Sequence, residues 1–214
     1  MSRYIDVSMP IVDSMLVWPT DPPLEIRTFK SPIKGDRSTV SQLSMGTHTG
    51  THVDAPKHFL PEAEGVETLD PEVLIGPCLV LDVREAARRG DIGPDDLAPA
   101  FQRKARRIIL RTGTLEEQMV KGFSKRFPGL TVASVKAAVE QGVRLIGIDA
   151  MSIEIYHAPG APTHHALLEA RVIIIENLLL KDVPQGQYDL IALPLRIQGG
   201  DGAPARVFLR TIGD

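Results

Sequence analysis

Cysteine is almost missing from this chain. Cys78 stands alone among 214 residues, so no intrachain disulfide can staple the fold. It lies in the apolar run from Leu74 to Leu81, where a cysteine reads as a small buried hydrophobe and not as a nucleophile. Long apolar runs are also lacking. A membrane-spanning helix needs ~20 apolar residues, and even Val172 to Ile175 is stopped by Glu176. Near the N-terminus, Asp6 and Pro10 interrupt the stretch where a secretory signal would need a continuous apolar centre, so the expected location is cytoplasmic. An excess of positive charge is absent as well: 24 Lys and Arg face 27 Asp and Glu, a net charge of −3. That balance gives no electrostatic footprint for nucleic acid or an anionic membrane, and it suits a small neutral or polar substrate.

What is present is ordinary for a globular domain, with 43% hydrophobic and 24% charged residues. A chain of this length buries roughly 70% of its unfolded surface, enough for a core without metal or disulfide staples. The 18 glycines and 17 prolines are spread as punctuation and do not gather into a linker, so one domain over 1–214 is expected. Short β-branched runs read as strands at Tyr4 to Val7, Cys78 to Val83, Arg107 to Arg111, Val143 to Ile148, Val172 to Glu176, Tyr188 to Leu193 and Arg206 to Arg210. A helix is expected over Val132 to Gln141, with Thr131 as N-cap and Gly142 as stop, and a second near Pro94. This mixture predicts an α/β domain whose sheet curls toward a barrel, with helices packed outside.

The six histidines fall in two windows only, 48–58 and 157–165. In the first, Gly50 and its β-branched neighbours disfavour a helix, and Pro56 pushes Ala55 into an extended conformation. Side chains alternate along an extended chain, so His48, Gly50, His52 and Asp54 should face one side, with Gly50 leaving room between the imidazoles. Neutral imidazole and carboxylate oxygen together suit Zn²⁺ or Mn²⁺.

In the second window Glu176 ends a strongly apolar strand, where an unpaired carboxylate costs several kcal/mol. It needs a cation: Arg171, Lys181 or a metal. Three imidazoles (His48, His52 and one of His164 or His165) with Asp54 and Glu176 exceed the roughly three protein ligands usual for one catalytic zinc. Since carboxylates bridge, a two-metal site with ions about 3.5–4 Å apart fits the count. His58 lies outside the set and is free to move a proton, with an unperturbed pKa of about 6.5.

Other candidates carry blander readings. His165 is expected to pack and His157 to sit in a loop. Asp149 reads either as lining the site at a strand end or as capping the turn through Ser152, and the Gly199 to Gly202 segment as a hairpin turn more readily than as an anion cradle, neither being counted as catalytic. Trp18, flanked by Pro19 and Pro22, reads either as a packing residue or as an aromatic plane over a pocket.

The segment His48-Thr49-Gly50-Thr51-His52-Val53-Asp54-Ala55-Pro56-Lys57-His58, with a later His164 twelve positions before Glu176, resembles the bacterial cyclase-like metal hydrolase family. Its best-known members are the kynurenine formamidases (arylformamidases), and it includes isatin hydrolases. Val17-Trp18-Pro19 and the stretches 188–195 and 200–206 extend the resemblance over about 4–209. The resemblance implies a swivelling β/β/α domain with a partly open barrel. It implies metal ligands at His48, His52, Asp54, His164 and Glu176, with the two carboxylates bridging. It also implies a catalytic His58, a substrate-contacting Trp18, about two Zn²⁺ per chain (or Mn²⁺), and a homodimer or homotetramer. The expected activity is hydrolysis of an aromatic amide by metal-activated water, with N-formylkynurenine giving kynurenine and formate. Opening of a cyclic amide such as isatin and metal binding without catalysis are the alternatives, and the extra His58 argues against the last of these.

Overall fold

The apolar runs that lack polar alternation become neighbouring parallel strands, the setting in which both faces of a strand are covered. In the computed structural model, which describes residues 3–156 and 158–212, the strands are β1 (Tyr4–Asp6), β2 (Glu25–Lys30), β3 (Val40–Ser44), β4 (His52–Asp54), β5 (Ile75–Asp82), β6 (Asp91–Ile92), β7 (Arg107–Arg111), β8 (Gly129–Leu130), β9 (Leu145–Ile148), β10 (Ile173–Glu176), β11 (Gly186–Pro194) and β12 (Gly202–Thr211). The helices are α1 (Pro71–Leu74), α2 (Arg84–Arg89), α3 (Pro94–Gln102), α4 (Thr114–Lys121), α5 (Val132–Glu140) and α6 (Pro162–Glu169). No helix among the described residues is long and apolar enough to cross a membrane.

β5, β7, β9 and β10 pair in parallel in that order, while β11 and β12 extend the sheet antiparallel from β5. β4 closes it. On one side it pairs with β10, setting His52 opposite Glu176, and on the other with β12, setting Asp54 opposite Gly202. The barrel therefore has seven strands and closes through the N-terminal half of β12, whose C-terminal half is edged by β1.

Side-chain parity divides the core in two. Val53, Val80, Ile109, Leu145, Ile175, Leu190 and Val207, one from each barrel strand, are fully buried in one cluster, which is the barrel interior. Residues of the other parity, Leu79, Ile108, Ile146 and Ile174, pack outward against Leu97 of α3, Val135 of α5 and Leu167 of α6. His52, Asp54 and Glu176 have this outward parity, so the polar cluster lies outside the barrel, on the side covered by α6.

α5 starts where expected, with Thr131 Oγ1 accepting from Ser134 N at 3.1 Å. In α3 the Asp96 carboxylate accepts from Gly93 N at 2.8 Å. The sequence reading passed over α1, α2, α4 and α6. β2 and β3 form a separate hairpin with every residue exposed, including Phe29 and Leu43.

Candidate metal centre and active site

Parity accounts for half of the first histidine window. His52 and Asp54 leave the same face of β4, placing His52 Nε2 3.2 Å from Asp54 Oδ1 and 3.6 Å from Glu176 Oε2. The rest differs from the expected extended strand. Residues 47–51 form a turn, and Gly50 has φ +69, a conformation that L side chains rarely adopt. The missing side chain of Gly50 gives room to Ile11 and Met15, each 3.1 Å from where a Cβ would sit, and does not separate the imidazoles. His48 instead reaches Asp54 from this turn, with Nδ1 2.9 Å from Oδ1. His164, on the inner face of α6, brings Nε2 to 3.4 Å from Glu176 Oε1.

Each of the three imidazoles uses its other nitrogen on an outer acceptor. His52 Nδ1 donates to Gly50 O at 2.8 Å, His164 Nδ1 to Glu154 Oε2 at 2.7 Å, and His48 Nε2 to Asp201 Oδ2 at 3.2 Å. A carbonyl or carboxylate can only accept, so these contacts fix the tautomers and turn the remaining nitrogens toward Asp54 and Glu176.

Asp54, Glu154 and Glu176 are buried, and none pairs with Lys or Arg among the described residues. Arg171 pairs with Glu64 instead, and neither it nor Lys181 makes an ion pair with Glu176. Asp54, 1% exposed, leaves Oδ2 without a hydrogen-bond partner among the described residues. A buried carboxylate with one oxygen orphaned and the other met by converging imidazoles is what a divalent cation requires, so the residues fit a metal. Two overlapping groups, His52/Asp54/Glu176 and His48/Asp54/His58, have donor atoms close enough to share an ion, with Asp54 common to both.

The electrostatics agree. Burial alone would lower the pKa of His48, but Asp54 and Asp201 push it up to about 9. For His164, Glu154 and Glu176 likewise overcome burial and push it up to about 10. Burial raises Asp54, yet His48 and His52 hold it well below the usual carboxylate range.

His58 ends a short 3-10 turn, and its ring stacks on His48 with centroids 3.8 Å apart. Burial lowers its pKa below the ordinary histidine value. It borders a cavity of about 250 Å³ shared with His48, His52, His164 and Glu176 and walled by Trp18, Phe59, Met151 and Asn177. Trp18 fills both of its expected parts: it lines this cavity and packs against Tyr156, Phe123 and Phe127 at 5.4, 5.6 and 6.1 Å.

His165 points away from the cluster, edge-on to Phe59 and 4.0 Å from Glu169. His157 lies outside the described residues. Asp149 does not cap through Ser152; it accepts from Thr112 N and Oγ1 and from Gly113 N, bracing the start of α4. Burial pushes the Cys78 thiol up to about 12, which leaves it inert. Sequence reasoning missed Glu154 altogether and set Asp201 aside as part of a turn. The 199–202 segment does join β11 to β12, but Asp201 also holds His48 and Thr47.

Residues 5–155 match the family model described as putative cyclase. The chain belongs to this cyclase family. Full-length relatives include the kynurenine formamidase of Bacillus cereus strain ATCC 14579, which is 35% identical over 214 residues, with 99% of each chain covered. Among solved structures, a potential metal-dependent hydrolase with cyclase activity superposes with a TM-score of 0.85 at 32% identity, covering 100% of both chains. The fold is also that of isatin hydrolase A from Labrenzia aggregata, with a TM-score of 0.85 at 22% identity over 99% of this chain and 94% of that one. The kynurenine formamidase relatives indicate a hydrolase acting on amide C–N bonds, and the buried donor cluster fits a metal ion.

Proposed function

We propose that this cyclase-family enzyme hydrolyses aromatic formamides, N-formylkynurenine foremost, to formate and the free arylamine. The observation that carries the proposal is the convergence of His48, His52 and His164 on Asp54 and Glu176, with Asp54 Oδ2 unpartnered among the described residues, beside an aromatic-walled cavity lined by the three imidazoles and Glu176. These five residues would hold two Zn²⁺, with Mn²⁺ the alternative. A bound divalent ion supplies Lewis-acid polarisation of the carbonyl and lowers the pKa of water toward neutrality.

The chain's own residues do the remaining work. Trp18 and Phe59 give the aryl group apolar surface and exclude water, and the cavity sets the formyl carbon over the cluster. Water's oxygen bonds to that carbon as the C–N bond breaks, and the nitrogen must take a proton because an unprotonated amide nitrogen is a poor leaving group. His58, beside the cluster and at the cavity wall, takes the proton that the attacking water gives up and delivers it to the nitrogen. The relatives named kynurenine formamidase support the formyl substrate, while the isatin hydrolase likeness keeps a cyclic amide as the competing substrate.

The exposed β2–β3 hairpin supports a homodimer or homotetramer. A two-stranded hairpin is marginal alone, and Phe29 and Leu43 gain cover from a second copy.

The test is turnover of N-formylkynurenine, formanilide and isatin by metal-reconstituted protein, with metal content measured on the same sample. Formate release from the two formamides is expected. Turnover of isatin alone would move the reading to the cyclic amide, and full activity in metal-free protein would end it.

A further inference from the structure

Glu154 is 4% exposed and lies between β9 and α6, in a segment held in place from beneath. Leu130 N donates to Ile153 O at 2.9 Å, and Thr163 Oγ1 to Leu130 O at 2.9 Å. Gly129 sits so close below that a Cβ there would fall 2.3 Å from Ile155 N and 2.6 Å from Glu154 C. The carboxylate is thus presented by a backbone with no room to shift. Its two oxygens face only donors. Oε1 accepts from Thr163 N at 2.8 Å, and Oε2 from His164 Nδ1 at 2.7 Å and, more weakly, from His164 N at 3.4 Å.

The structure assigns Glu154 as a positioning residue that holds His164 as the Nδ1–H tautomer with Nε2 aimed at Glu176, and so sets how tightly this arm of the centre grips its metal. The assignment rests on the reading of His164 as a ligand. Imidazole left without this acceptor can rotate or carry its proton on Nε2, 3.4 Å from Glu176 Oε1, where a metal needs a lone pair. The same carboxylate also covers the first N–H groups of α6, whose N-cap, Ala161, has no side chain to do so. A helix cap and an orienting group therefore coincide in one residue, and the test must separate them.

Zinc affinity is measured by competition with a chromophoric chelator for the wild type, Glu154→Ala, Glu154→Gln and His164→Ala. Visible ligand-field spectra of the Co²⁺-loaded proteins and melting of the metal-free proteins are recorded beside it. For Glu154→Ala we expect about 10–100-fold weaker zinc binding and an altered Co²⁺ spectrum. Glu154→Gln, which keeps one acceptor, should fall between the alanine variant and wild type. Lower metal-free stability with wild-type zinc affinity and Co²⁺ spectrum would make Glu154 a helix cap only, overturning the assignment. Wild-type zinc affinity in His164→Ala would instead remove His164 from the ligands and the assignment with it. Should Glu154→Ala fail to fold, Glu154→Gln decides by the same criteria.

Discussion

Replacing Gly202 by alanine adds one methyl group at the seam where β12 meets β4. A Cβ there would lie 2.6 Å from His48 Cε1, 2.8 Å from Val53 O and 3.1 Å from His48 Nε2. Comfortable carbon–carbon contact begins near ~3.5 Å, so something must retreat by about 1 Å. The backbone, pinned by the pairing of Gly202 with Asp54 in the ladder that closes the barrel, can give only slightly at Val53 O, and only at the expense of that ladder. The imidazole of His48 must therefore move, giving up its 2.9 Å approach to Asp54 and its 3.2 Å contact with Asp201. Overpacking of this kind costs about 1–3 kcal/mol, or roughly 2–12 °C of melting temperature for a domain of this size. Disturbing the orientation of a ligand should also weaken zinc binding by about 10–100-fold.

Chelator competition and thermal melts measure both losses. Gly90→Ala is the control. Gly90 has φ +103 with nothing within 4 Å of a Cβ, so its substitution strains the backbone far from the site and should lower stability without changing metal affinity. If Gly202→Ala binds zinc as tightly as the wild type, His48 is not a ligand held in the described orientation, and the reasoning fails.

His164→Ala should lose far more metal affinity than His165→Ala, since only His164 faces Glu176; equal losses would refute the assignment. His58→Ala should keep its metals, lose about 10²–10⁴ in turnover and lose one limb of its pH–rate profile; a metal-depleted variant would make His58 a ligand. In metal-free protein the raised pKa values of His48, about 9, and His164, about 10, stabilise the fold fully below the unfolded value of about 6.5. That contribution should disappear as pH rises through 9–10, so urea midpoints of metal-free protein should fall over this range, and a flat profile would contradict it.

The parallel barrel strands were legible because strands covered on both faces keep a simple code, an unbroken apolar run such as Ile108 to Leu110. Closure was not legible, since β4 is only three residues long and finds its two partners more than a hundred positions away. α6 was hidden for a different reason. Its first turn carries polar Thr163, His164 and His165, and its helical signal is the burial of Thr163, His164, Leu167 and Leu168 on one face, which exists only once the barrel lies beneath it.

The same distinction runs through the site. Residue type and local spacing pointed to His52, Asp54 and Glu176, while the choice of His164 over His165 came from the resemblance, whose twelve-residue separation a helix–strand pair fixes over a short stretch. Glu154 and Asp201 carry no such mark, for a carboxylate in a loop, buried or not, reads in the sequence like any solvated acid. Asp201 comes to His48 across 153 positions, and only because β12 closes onto β4. The proposed ligands are thus written largely in local spacing, while the tautomer of His48 is set by tertiary closure. Substitutions that spare every ligand but loosen that closure, at Gly202 or beneath Glu154 at Gly129, should therefore damage the centre as effectively as loss of a ligand's neighbour does.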